Sequence, residues 1–194
     1  MKAYLPLALA ALTVLPGCTT PYTSPVAVDR FVADDRSALS ANDSIVVEAA
    51  NLNVPPEFVS AVAREVEKSG YAITNRSGRY LTARVTVDVT PIDGAYRRSP
   101  VTVGAGGSTG TYGSGVGAGV GISLGGREAP NRETQLSVSI RDSLGAAVWE
   151  GRATLATGPN SDYASQAAAA DALAAALFEG FPGDNGASYE VELD

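Results

Sequence analysis

The chain has 194 residues, enough for one domain with a substantial apolar core. It holds 21 acidic against 14 basic residues and no histidine, a net charge of −7, and this balance gives no electrostatic basis for binding nucleic acid or anionic lipid. Without histidine there is no Ser-His-Asp or Cys-His nucleophile system, and with a single cysteine the usual zinc, iron–sulfur and haem ligand sets are excluded. No cofactor or metal is expected.

Lys2 followed by the apolar run Ala3–Leu15 has the layout of a signal peptide. The run is too short for a membrane span, which takes about 20 apolar residues. Leu15-Pro16-Gly17-Cys18 follows it directly and resembles a bacterial lipobox; Pro16 departs from the small or β-branched residue usual there. The resemblance implies acylation of the Cys18 thiol, cleavage before it and acylation of the new N-terminus. Residues 1–17 are then a signal peptide and Cys18 a lipidation site. The partner is a membrane reached through acyl chains, each buried methylene adding about 0.8 kcal/mol. Thr19 at the second mature position is not the aspartate associated with inner-membrane retention, so the expected location is the outer membrane, facing the periplasm.

Residues 18–40 read as a lipidated N-terminus and tether, kept extended at first by Pro21 and Pro25. Val26, Val28 and Phe31 hint at a strand that Asp34-Asp35-Arg36 interrupts. The adjacent acidic pair Asp34-Asp35 has no ligand spacing around it and reads as a solvated loop. Residues 41–194 form the expected single domain. Ser44–Ala50 predicts a strand, with Ile45-Val46-Val47 as a short buried run. Pro55 and Pro56 open a helix whose apolar stripe is Phe58, Val62 and Val66, with Val59 and Ala63 beside it, and Gly70 stops it. Tyr71–Thr74 predicts a short strand. Leu81, Ala83, Val85, Val87 and Val89 then alternate with polar residues, as in a sheet covered on one side.

A glycine-rich insertion, 97–130, comes next. Gly113-Ser114-Gly115-Val116-Gly117-Ala118 matches a loose dinucleotide fingerprint, but no helix follows it and no acidic residue lies about 20 residues on. Gly104–Gly126 reads first as a low-complexity flexible loop. If extended instead, it sets Val116, Ala118, Val120, Ile122 and Leu124 on one face. Val116, Val120, Ile122 and Leu124 are thus candidate contacts for an envelope protein partner or a bilayer.

Leu136, Val138 and Ile140 alternate in the following strand, Asp142-Ser143-Leu144-Gly145 signals a hairpin turn, and the return strand carries Trp149 in phase with Gly151, Ala153 and Leu155. That phase makes Trp149 a core residue rather than a sugar-stacking platform. Ser161 or Asp162 is the expected cap of an alanine-rich helix packed through Ala167, Ala170, Leu173, Ala174, Leu177 and Phe178. Asp184-Asn185-Gly186 reads as a turn, and Tyr189, Val191 and Leu193 as a last edge strand. The fold class is α+β: a mixed, mainly antiparallel sheet with two helices packed on one face, in the order β-α-β-β-β-β-α.

The strand Gln135–Arg141, the turn at Asp142, the strand from Ala147 to Ala153 and the alanine-rich helix ending in Phe181-Pro182-Gly183 resemble DUF4136-type envelope lipoproteins. That family usually carries a run of Asp, Gly, Trp, Gly and Ala, met here by Asp142, Gly145, Trp149, Gly151 and Ala153, often after a glycine-rich stretch. The resemblance covers roughly Leu81–Gly186. It implies a lipid-anchored periplasmic domain and carries over no catalytic residues. The expected function is a non-catalytic structural or partner-binding role. The alternative is a carboxylate-dependent hydrolase of cell-wall material, which needs two carboxylates about 5–10 Å apart across a cleft.

Overall fold

The computed structural model describes residues 20–33, 39, 44–75, 81–92, 101–110, 113–122 and 128–193. The chain divides into two compact units, Pro21–Arg97 with Arg127–Asp194, and a second that contains the glycine-rich strands.

The larger unit is a seven-stranded sheet with two helices. Its strands are β1 (Val26–Val32), β2 (Ser44–Ala49), β3 (Ala72–Ile73), β4 (Leu81–Pro91), β7 (Arg132–Arg141), β8 (Ala147–Thr157) and β9 (Ser188–Val191), in the spatial order β3-β2-β4-β7-β8-β1-β9. The β2 strand runs parallel to β3 and β4, and every other pairing is antiparallel. Both edges end in short strands, of two and four residues, which limits the unpaired backbone available for stray association.

Helix α1 (Pro56–Lys68) starts where Pro55 and Pro56 pre-set the first turn, and it carries Glu57 at its N-terminal and Lys68 at its C-terminal end, each favourable to the helix dipole. It buries Phe58, Ala61, Val62 and Val66 over β2, β3 and β4. Gly70 at φ +93° stops it, a backbone conformation other residues rarely adopt. Helix α2 (Gln166–Phe178) lies over β1, β7 and β8 and against α1. Eight of its side chains are buried, because the sheet lies on one side and α1 on another, and alanines permit both close approaches. Its cap is Ser165, whose Oγ accepts from Ala168 N–H at 3.2 Å, rather than Ser161 or Asp162. Ser161 is instead buried and bonded to Thr23 Oγ1 at 2.7 Å. Ala167, expected in the packing stripe, is exposed, and Ala169, Ala172 and Ala176 are buried instead.

The tether expected over 18–40 is shorter than that. Val26–Val32 is a sheet strand, held between β8 and β9. Its covered face carries Val26, Val28, Arg30 and Val32, and Phe31 lies on the opposite face, 60% exposed.

Trp149 is 1% exposed, as its phase predicted. It stacks on Phe178 at 5.3 Å between ring centroids and meets Phe181 edge-on at 5.1 Å. Gly151 lies beneath it, and a Cβ there would run into the indole and into Leu177 Cδ1 at 2.8 Å. The expected turn is present: Asp142 Oδ1 accepts from the N–H groups of Leu144 and Ala146, both at 2.9 Å, with Gly145 at φ +86°.

In the smaller unit, β5 (Val101–Gly110) and β6 (Gly113–Ile122) form an antiparallel pair. The flexible-loop reading of Gly104–Gly126 is overturned across these two strands. The physical reason is register: Val101, Val103 and Ala105 fall opposite Ile122, Val120 and Ala118, so the alternation of one strand matches that of the other.

Candidate membrane attachment site

Cys18, residues 1–17 and Leu124 lie outside the described residues. The chain is described from Thr20 onward, and from Tyr22 it is fastened to the sheet. Gly158 N–H donates to Tyr22 O at 2.9 Å, Thr23 bridges Thr157, and Ser24 exchanges bonds with Ala156 through its N–H, at 2.9 Å, and its Oγ, at 3.0 Å. Three residues separate Cys18 from Tyr22, so their Cα atoms can lie no more than about 14 Å apart.

Glu128 stands at the point where the chain returns from the insertion. Its Oε2 accepts from the N–H groups of Tyr22 and Asn160, both at 3.3 Å, and its Oε1 accepts from Asn160 Nδ2 at 2.6 Å. One carboxylate thus joins the N-terminal segment, the start of β7 and the turn after β8. Gly158 makes room for it, since a Cβ there would fall onto the Glu128 carboxylate.

The outgoing side of the insertion meets the same end of the sheet. Ile92 N–H donates to Asn131 O at 3.0 Å, and Asn131 N–H donates to Thr157 O at 3.0 Å. Thr157 is the residue that bridges Thr23. Ile92, Asn131, Thr157 and Thr23 therefore form a row across one end of the sheet. The segment leading from Cys18 and both flanks of the glycine-rich insertion meet there. No local pattern signals this, because the row pairs residues up to 134 positions apart in the chain.

Val116, Val120 and Ile122 lie on β6, at register positions opposite Gly107, Val103 and Val101. Among the described residues no helix is long and apolar enough to cross a membrane, and no group of three or more His, Cys, Asp or Glu could hold a metal ion.

Two other surfaces are hollowed. The open face of the sheet carries a polar basin of about 540 Å³ bordered by Asp29, Phe31, Arg84, Arg141, Glu150 and Arg152. Several of its charges meet neighbours on the same face: Arg84 with Glu48 at 3.2 Å, Glu150 with Ser139 at 3.4 Å, and Asp29 with Ser188. Asp29 and Glu150 are diagonal neighbours across β1 and β8, on a face open to solvent. The second hollow, about 330 Å³, is mainly apolar and lies between α2 and the residues around β9, lined by Tyr163, Ala176, Val191 and Leu193 among others.

Beneath the covered face, Arg30 is 3% exposed. Its Nη2 donates to Ala176 O at 3.2 Å and to Tyr189 Oη, and its guanidinium lies 4.8 Å from the centre of the Tyr189 ring. Tyr189 Oη itself donates to Ala176 O at 3.0 Å. The pair thereby satisfies one of the terminal carbonyls of α2, where the helix dipole favours positive charge. Burial pushes the Arg30 guanidinium below its ordinary pKa, and the charge of Glu179 opposes that shift. Its Nε has no hydrogen-bond partner.

No family model matches the chain, and no curated protein does. Among solved structures it is similar to a PDZ domain protein from Parabacteroides distasonis, at 9% identity and a TM-score of 0.48 over 87% of this chain. It spans only 38% of that protein's length. It is also similar to PelC from Paraburkholderia phytofirmans, crystallised as a dodecamer, at 13% identity and a TM-score of 0.42 over 81% of this chain and 97% of that one. At these scores the likenesses are distant, and the functional reading rests on the chain's own residues.

Proposed function

We propose that this chain is an exported lipoprotein, anchored through acyl chains on Cys18 in the outer membrane and facing the periplasm, with a non-catalytic role in binding an envelope partner. The observation that carries the reading is Leu15-Pro16-Gly17-Cys18 behind a 13-residue apolar run. The place of the cysteine supports it, four residues ahead of backbone that is fastened to the sheet at Tyr22. An anchor so close to the fold holds the domain at the membrane surface.

The test is Cys18→Ser in the full chain, followed by membrane fractionation and metabolic labelling with an acyl probe. The expected result is loss of label and release from the membrane fraction, or accumulation of unprocessed precursor. Equal labelling of the variant and the parent overturns the proposal.

A further inference from the structure

We propose that the β5–β6 hairpins of several copies of this chain pair edge to edge into one closed β-barrel that crosses the bilayer to which Cys18 anchors them. This deepens the lipoprotein reading and rests on it. Four observations lead to it.

The first is length. Each strand has ten residues, within the nine to eleven that a membrane-crossing strand needs. At about 3.4 Å per residue such a strand is roughly 34 Å long, and at a usual barrel tilt it rises roughly 25 Å, the height of the apolar band of outer-membrane barrels.

The second is pattern. Neither strand contains a charged residue. The register gathers the apolar positions Val101, Val103, Ala105, Val116, Ala118, Val120 and Ile122 on one face of the ribbon, with Gly107, Thr109 and Ser114 on the same face toward the turn. The other face holds glycines with Thr102 and Ser108. An apolar face outward to lipid and a small, polar face inward is the two-residue period of a membrane barrel.

The third is the pair's incompleteness. A lone two-stranded ribbon is marginal in water, and in lipid each unpaired N–H and C=O along an edge carries a penalty that only closure removes. The described residues supply no third strand to this sheet. Identical hairpins from other copies supply the missing edges, and a barrel needs about eight strands or more, hence four or more copies.

The fourth is continuity with the anchor. Both flanks of the insertion reach the sheet in the Ile92–Asn131–Thr157–Thr23 row, beside the segment that leads from Cys18.

The test uses the full acylated chain in detergent, with oligomer mass measured by native mass spectrometry, and then the same protein reconstituted into dye-loaded phospholipid vesicles. Two substitutions on adjacent residues of β6 separate the faces: Val120→Asp on the apolar face and Gly119→Asp on the glycine face. The parent and Gly119→Asp are expected to form the same oligomer and release the dye, and Val120→Asp to fall to the level of protein-free vesicles, with Val120→Leu restoring release. A monomeric parent, an oligomer whose vesicles stay sealed, or equal behaviour of the two aspartate variants overturns the proposal. Acyl labelling of the same preparations tests the anchor separately. An unlabelled parent that still assembles and releases dye refutes the anchor alone, and a labelled parent with sealed vesicles refutes the barrel alone.

Discussion

The indole Nε1 of Trp149 donates to the carbonyl of Pro182 at 2.9 Å, so the one tryptophan of the chain ties β8 to the turn that follows α2. The ring fills the space between Phe178, Phe181 and the Gly151 backbone. Trp149→Ala is expected to lower stability by about 3–5 kcal/mol in urea unfolding followed by far-UV circular dichroism. Gly151→Ala should also destabilise the parent and do less harm in a Trp149→Phe background, where the indole atoms that the new Cβ meets are gone and the contact with Leu177 Cδ1 remains. Equal effects of Gly151→Ala in both backgrounds would show that the close approach to the indole is not the constraint.

Arg30 gives an ordering of variants. Its charge is buried with no carboxylate in contact among the described residues, and the Tyr189 ring 4.8 Å away with the bonds to Ala176 O and Tyr189 Oη is what holds it. Arg30→Lys keeps a buried charge and loses the guanidinium contact with the Tyr189 ring and the fork geometry. Arg30→Met removes the charge and keeps the length. The expectation is that Lys lowers the melting temperature more than Met. Because the folded-state pKa lies below the unfolded one, the penalty on the charge is fully present below the folded pKa and is relieved only as pH rises through it. The difference between parent and Arg30→Met should therefore be flat across the acidic and neutral range and shrink only in strong alkali. A reversed order of the two variants would contradict this account.

At Glu128, the carboxylate joins Tyr22 and Asn160. Glu128→Ala is expected to cost about 1–3 kcal/mol and to speed hydrogen exchange at the amides of Tyr22 and Asn160, with no effect at the core amides of β7. Gly158→Ala should destabilise the parent by forcing the carboxylate aside. In Glu128→Ala the same change should be nearly silent, giving a large coupling in a double-mutant cycle. Additive effects would show that the two residues do not meet.

Replacing Arg98–Gly126 by a short Gly-Ser linker should leave the melting temperature of the sheet domain within a few degrees of the parent, since this segment falls outside the compact unit that holds the seven-stranded sheet and changes in loop length carry small entropy differences. Differential scanning calorimetry of the two forms checks it. A large drop would mean that the hairpin is structurally part of the domain.

The elements that were readable in the sequence are those whose faces differ cleanly in polarity. In β4, β7 and β8 the apolar residues alternate, and α1 shows its stripe at Phe58, Val62 and Val66. β1 was obscured by two exchanged residues: Arg30 takes a covered position and Phe31 an open one, so the alternation of Val26, Val28 and Val32 breaks in the middle. The cap of α2 was misplaced because Ser161, Asp162 and Ser165 all stand ahead of an alanine run that is apolar on every side, and only tertiary contact, Thr23 on Ser161, separates them. The junction at Glu128 was invisible for a different reason. Nothing in a sequence marks a carboxylate that will meet an amide 106 positions away.

That junction also sets a path for force. A pull on the insertion enters the domain at Ile92 and at Glu128, and it passes to Tyr22 and Thr23 through a few hydrogen bonds at one rim of the sheet. The aromatic cluster around Trp149 lies off this route. Tension drawn through the two chain ends of the insertion would load this rim before the packed core.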